Sequence, residues 1–145
     1  MNVSDLRSPY DRVGDIVYFG RMLDRIRLYQ SGKLPAEYHE MYGGGFDERT
    51  CDFLHVTFDS LSERVREGGS DNEILEWCFS TGRKPSDEEK EVWNGFMEKR
   101  GWRDPMAEMI KEELEAKGWS HRKDIKTLFD FFDADEERPL RYSEE

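Results

Sequence analysis

A chain of 145 residues with a net charge of −11 at neutral pH is sized for one domain, and its acidity speaks against a nucleic-acid groove or an anionic membrane surface, both of which need clustered positive charge. Apolar residues are only 36% of the chain, but 13% are aromatic and the charged 38% are interleaved with apolar positions, so an aromatic-rich folded core is expected rather than disorder. Two cysteines without a paired motif, no apolar run of membrane-spanning length, and a start (Met1 to Asp5) without the basic and apolar regions of a signal peptide predict a reduced, cytoplasmic setting.

In chain order, Pro9 and Gly14 bracket a lead-in to a helix over residues 15–30. Ile16, Phe19, Leu23 and Ile26 form its stripe, which Val17, Tyr18, Met22 and Tyr29 widen over most of the circumference. A helix apolar nearly all round belongs at the centre of a fold. Gly32 closes it. A short helix over 35–42 follows Pro35 and ends at Gly43-Gly44-Gly45, and Asp47 is placed to cap a turn from Glu48 to Leu54. Thr57 caps a helix that runs to Glu67 and stops at Gly68-Gly69.

Ser70-Asp71-Asn72-Glu73 is a capping box that opens a helix through Ile74, Leu75, Trp77, Cys78 and Phe79 to Gly82. Ser86-Asp87-Glu88-Glu89 is a second, with Val92, Trp93, Phe96 and Met97 expected on one face and Gly101 as the stop. Asp104-Pro105 reads as a cap with proline at the first helical position, followed by Met106, Met109, Ile110 and Leu114 at helical spacing until Gly118. Gly101-Trp102 and Gly118-Trp119 both look like a glycine stop followed by an apolar residue folding back. The last predicted helix covers 121–132, with Ile125, Leu128, Phe129 and Phe132 inward, and the acidic tail from Asp133 (133–145) is expected to be exposed or frayed. No segment alternates long enough to predict a strand. The expected fold is all-α: a compact single-domain bundle of six to seven short helices around one central helix.

Charge is unevenly placed along this chain. Residues 1–34 hold six bases against four acids, so the remainder carries −13. Arg21, Arg25 and Arg27 stand among the core-type residues of the central helix, where a guanidinium needs a partner. Two roles are open for them. One is an internal ion-pair network, with Asp24 spaced to reach Arg21 or Arg27 and with carboxylates from later helices. The other is a site for a carboxylate or phosphate formed by Arg21, Arg25 and Arg27, with His39 and the glycine loop at the pocket mouth.

Other constellations carry less chemistry. The glycine trio lacks the GxxxxGK[ST] pattern and a preceding strand, and Asp47 and Glu48 would repel a phosphate there; it reads as a hinge beside a pocket. His39, Cys51, His55 and Cys78 match no zinc spacing, and Cys78 sits where a thiol is core filler. The acids Asp130, Asp133, Asp135, Glu136 and Glu137 lack the glycine of a calcium loop, and Pro139 interrupts it, so they read as a solvated run. No metal and no cofactor is expected.

The segments FGRMLDRIRLYQSGKLP at 19–35, GFDERTCDFLHV at 45–56, DNEILEWCF at 71–79, GRKPSDEEKEVWNGFMEKRGWRD at 82–104 and LFDFFDADE at 128–136 resemble a bacterial family of small proteins defined by a domain of unknown function, number five-zero-six-nine. The resemblance implies a single-domain bacterial protein and carries no activity or catalytic residue. The functional expectation is a non-catalytic cytoplasmic binding or regulatory module, monomer or homodimer, whose partner is a protein or a small anionic molecule. The alternative is a small enzyme or sensor that binds an anionic molecule through the arginines of its central helix.

Overall fold

The computed structural model describes residues 4–142. Among these are seven α-helices and one two-stranded hairpin: β1 (Arg12–Val13), β2 (Ile16–Val17), α1 (Phe19–Gln30), α2 (Phe46–Leu54), α3 (Phe58–Arg66), α4 (Asp71–Thr81), α5 (Asp87–Lys99), α6 (Ala107–Lys117) and α7 (Leu128–Asp135), with a 3-10 turn at Ala36–Tyr38 between α1 and α2. The mostly helical architecture agrees with the expected all-α class. The best-marked termini fall where the sequence puts them. Thr57 accepts from the Ser60 amide, and Ser70 and Ser86 form complete capping boxes with Glu73 and Glu89.

The central helix starts later than its apolar pattern suggests. Gly14 and Asp15 both have positive φ, at 56° and 62°, which is the two-residue turn that matches strand twist, and Val13 pairs with Ile16 across it. The β-branched Ile16 and Val17 are then held extended from outside. The buried Asn94 side chain of α5 accepts from the Val17 amide at 3.1 Å and donates to the Asp15 carbonyl at 2.8 Å. Tyr18, at φ 70°, turns the chain into α1. From there the helix is as central as expected: eight of its twelve residues are buried, and it packs on α3 and the hairpin.

Three other expectations change. Val92 is 70% exposed, and Phe96 is also exposed; Trp93 and Met97 alone turn inward from that set. Asp104 does not open α6, which begins at Ala107; its carboxylate instead ties the Gly101 and Met106 amides at 2.9 Å each. The last helix begins not at 121 but after Thr127, whose hydroxyl caps it through the Asp130 amide, and it runs to Asp135. Asp133 and Glu136 are buried, so the tail is anchored at its start. Its last residues, 143–145, lie outside the described residues.

Most buried apolar side chains fall in a large core around α1, α2, α3, α4, α5 and Phe129 and a smaller one of Ile110, Leu114, Ile125, Leu128 and Phe131 between α6 and α7, with a third small cluster of Leu6, Leu28 and Leu34. Phe46 and Phe132 pack against the first two and mark the seam. Behind the α2 terminus, the chain passes so close to itself that a Cβ on Gly82 would stand 1.9 Å from the Leu54 carbonyl oxygen, whereas one on Gly95 in mid-α5 would meet nothing. Gly82→Ala is therefore expected to cost about 2–3 kcal/mol and Gly95→Ala to add about 0.5–1 kcal/mol, both measurable by urea denaturation.

Candidate functional site

Arg21 and Arg25 stand one turn apart on α1, and each finds a carboxylate from a distant element. Arg21 is 3% exposed and donates through Nη1 and Nη2 to the two oxygens of Glu136, 2% exposed, at 2.7 and 2.6 Å. The same carboxylate accepts the Tyr38 hydroxyl at 2.7 Å and a close contact from Arg138. Arg25 donates through Nη1 to Asp47 at 2.7 Å. Asp47 lies in the first turn of α2, where the helix N-terminus favours an acid. It also accepts from the Tyr18 hydroxyl and the Gly43 amide, both at 2.9 Å. The carboxylate expected to cap the turn from Glu48 to Leu54 is thus a buried ion-pair partner inside the first turn of the helix.

These environments act on the acids in opposite directions. For Glu136, burial pushes the carboxyl up, but the bidentate bond and charge of Arg21, with Tyr38 and Arg138, outweigh it and hold it below the ordinary glutamate range. For Asp47, burial pushes the carboxyl up and prevails over the pull of Arg25, Gly43 and Tyr18. Burial also drives the Tyr18 and Tyr38 hydroxyls upward, so both remain proton donors at neutral pH.

Arg27 faces another way. It donates to Asp71 at 2.8 Å, and Arg7 holds the other Asp71 oxygen at 2.7 Å while forking onto Asp24. Asp24 therefore serves Arg7, not Arg21 or Arg27. His39 is exposed, with Nε2 at 2.8 Å from the Leu34 carbonyl and its ring edge-on to Tyr29. Neither Arg27 nor His39 borders the cavity described below. The thiols of Cys51 and Cys78 are buried in the large core and pushed up to about 12 by burial, and His55 is the exposed left-handed cap of α2. Among the described residues no group of three His, Cys, Asp or Glu is placed to hold a metal ion.

At the seam between the two cores lies a cavity of about 480 Å³. Arg21, Arg25 and Tyr18 border it from the α1 side, and the segment from Glu37 to Phe46 passes along another edge. That segment is tied down by Arg25, which donates to the Tyr38 carbonyl at 3.2 Å, and by the stacking of Tyr42 on Tyr29 at 4.2 Å. The opposite wall is apolar: Met106, Met109, Leu128 and Phe131. Two further arginines border it, neither among the sequence-based candidates. Arg49 of α2 and Arg100 after α5 both lie over the ring of Phe96, at 4.9 and 5.6 Å from its centroid. Arg100 has a carboxylate neighbour in Asp104 at 3.3 Å. Arg49 is exposed and makes no ion pair among the described residues. One buried donor also lacks an acceptor there: Nε of Arg25.

A small, mostly helical domain, with a cavity framed by paired arginines of its central helix, is the class that fold and site define. The chain belongs to the family described as a domain of unknown function (DUF5069), whose model matches residues 3–138 and so takes in both buried ion pairs and the cavity. A comparison with curated proteins finds no match. No helix of the described residues is long and apolar enough to cross a membrane.

Arg21→Ala leaves the Glu136 carboxylate buried without its main partner and is expected to cost about 3–5 kcal/mol in urea denaturation. The depressed Glu136 carboxyl gives the pair a definite pH dependence. Its stabilisation is present above the unfolded glutamate pKa of about 4.3 and is lost as pH falls through the lower folded value. Glu136→Gln is therefore expected to be less stable than wild type at neutral pH, with the gap narrowing as acid titrates the wild-type carboxylate, followed by denaturation at a series of pH values.

Proposed function

We propose that the chain is a binding module rather than a catalyst, and that its ligand is a small organic anion held in the cavity at the seam of the two cores. The observation that carries this is the state of Arg49. Around the cavity, Arg21, Arg25 and Arg100 each have a carboxylate, while Arg49 borders the same space with its charge unmatched among the described residues. A guanidinium held over an aromatic ring keeps its orientation and its donors for a carboxylate or phosphate oxygen.

Two features support the choice. The buried Arg25 Nε–H has no acceptor among the described residues, and buried donors are paired in the great majority of proteins, so this arginine has a donor to give to a bound molecule or an ordered water. The buried carboxylates paired with the cavity's arginines are already committed: Glu136 to Arg21 and Tyr38, Asp47 to Arg25 and Tyr18. Such groups frame a ligand well and exchange protons with it poorly. In this reading Arg21 and Arg25 border the ligand, while their own charge is matched by Glu136 and Asp47 inside the protein.

Native mass spectra of protein purified gently at neutral pH test this. The wild type is expected to carry an organic adduct that Arg49→Glu has lost and to melt higher for as long as it is bound, with both proteins giving the same far-UV circular dichroism because Arg49 is exposed and makes no ion pair among the described residues. An adduct retained equally by Arg49→Glu, or bare masses for both proteins, overturns the proposal.

A further inference from the structure

We infer that the ligand is a monovalent carboxylate carried on an extended apolar chain, its head at Arg49 and Arg100 and its tail along the methionine wall; the inference rests on the cavity being the binding site. The polar end follows from how the two guanidinium groups are held. Both lie over one ring, Phe96, at 4.9 and 5.6 Å, although like charges repel. Asp104 is the carboxylate within reach, at 3.3 Å from Arg100, and it already accepts from the Gly101 and Met106 amides. This corner is therefore left with an excess of positive charge, which one carboxylate matches.

The limit to a single charge comes from the rest of the rim. Glu37, Glu40 and Glu113 are exposed at the same cavity, and the whole chain carries −11. A polyphosphate or polycarboxylate would place its additional charges among these acids, at a cost that the Arg49–Arg100 corner does not offset. The tail follows from the walls. Met41 and Met109 border the cavity yet are 59% and 40% exposed, with Met106, Leu128 and Phe131 beside them. Apolar side chains left open around a concavity gain by being covered. Methionine is unbranched and adaptable, which suits a flexible aliphatic chain better than a rigid plate.

The probes are decanoate, decanol and inorganic phosphate, titrated by calorimetry into the full chain, with methionine methyl resonances recorded in parallel. Decanoate is expected to bind at least tenfold more tightly than decanol or phosphate. It should shift the methyls of Met41, Met106 and Met109 and leave those of Met22 and Met97, which are fully buried in the large core. Arg49→Glu should weaken decanoate at least tenfold. Arg66→Glu on α3, which is exposed and away from the cavity, should leave it unchanged. Met109→Asp provides a second variant, expected to weaken decanoate without changing the fold. Binding of phosphate with no preference for decanoate overturns the chain-carboxylate ligand and leaves an anion-binding cavity standing. Decanol binding as well as decanoate overturns the carboxylate head. No binding by either anion, with unshifted methyls, overturns the inference and the cavity site together.

Discussion

The bidentate pair of Arg21 with Glu136 is the constraint on which the architecture around the cavity depends. Two charges removed from water must meet in good geometry or not be buried at all, because each alone carries a desolvation cost that nothing else in an apolar core offsets. Glu136 lies just past the end of α7, so the C-terminal end of α7 is held against α1 at Arg21. The same carboxylate takes the Tyr38 hydroxyl, which fixes the segment between α1 and α2 at the same point. A cavity edged by α1, by that segment and by α7 is then a geometric result of one carboxylate with three partners, Arg21, Tyr38 and Arg138.

The second pair, Arg25 with Asp47, repeats this device for α2. Arginine suits both positions for a reason that lysine does not share: its planar fork serves several acceptors at once. Arg21 reaches both Glu136 oxygens and the Arg7 carbonyl, and Arg25 reaches Asp47, Tyr18 and the Tyr38 carbonyl. Each guanidinium thus stitches backbone as well as side chain. The positive N-terminal segment and the acidic remainder of the sequence are, in the fold, two halves of one buried network, supplemented at its edge by Arg7, Arg27 and Asp71.

Much of this was written locally in the chain. Capping boxes at Ser70 and Ser86 and the Thr57 cap determine their own helix starts within four residues, so α3, α4 and α5 are legible from sequence alone. The start of α1 was not, because Ile16 and Val17 fit a helical stripe as well as a strand; the deciding contact comes from Asn94, far along the chain. The Gly14-Asp15 pair between Val13 and Ile16 was the available signal. The burial of the acids was legible in part. Asp47, Thr50, Cys51 and Leu54 share one helical stripe, and so do Phe129, Asp133 and Glu136, which places carboxylates in register with core residues. Which arginine each would meet depends on tertiary packing. Arg49 and Arg100 carried no local mark, since their common feature is the ring of Phe96, reached from two different elements.

The distance along the chain between the members of the Arg21 pair bears on how the protein is born. Glu136 follows Arg21 by 115 residues. At roughly 5–20 residues per second of synthesis, that separation keeps Arg21 waiting for seconds to tens of seconds. Throughout that interval the central helix, eight of whose twelve residues end up buried, holds a cation with no matching acid, and hydration of that cation opposes its burial. Consolidation of the core on the ribosome is thereby delayed until the acid-rich end has emerged, and a chain halted before that point keeps α1 open to water and to chaperones.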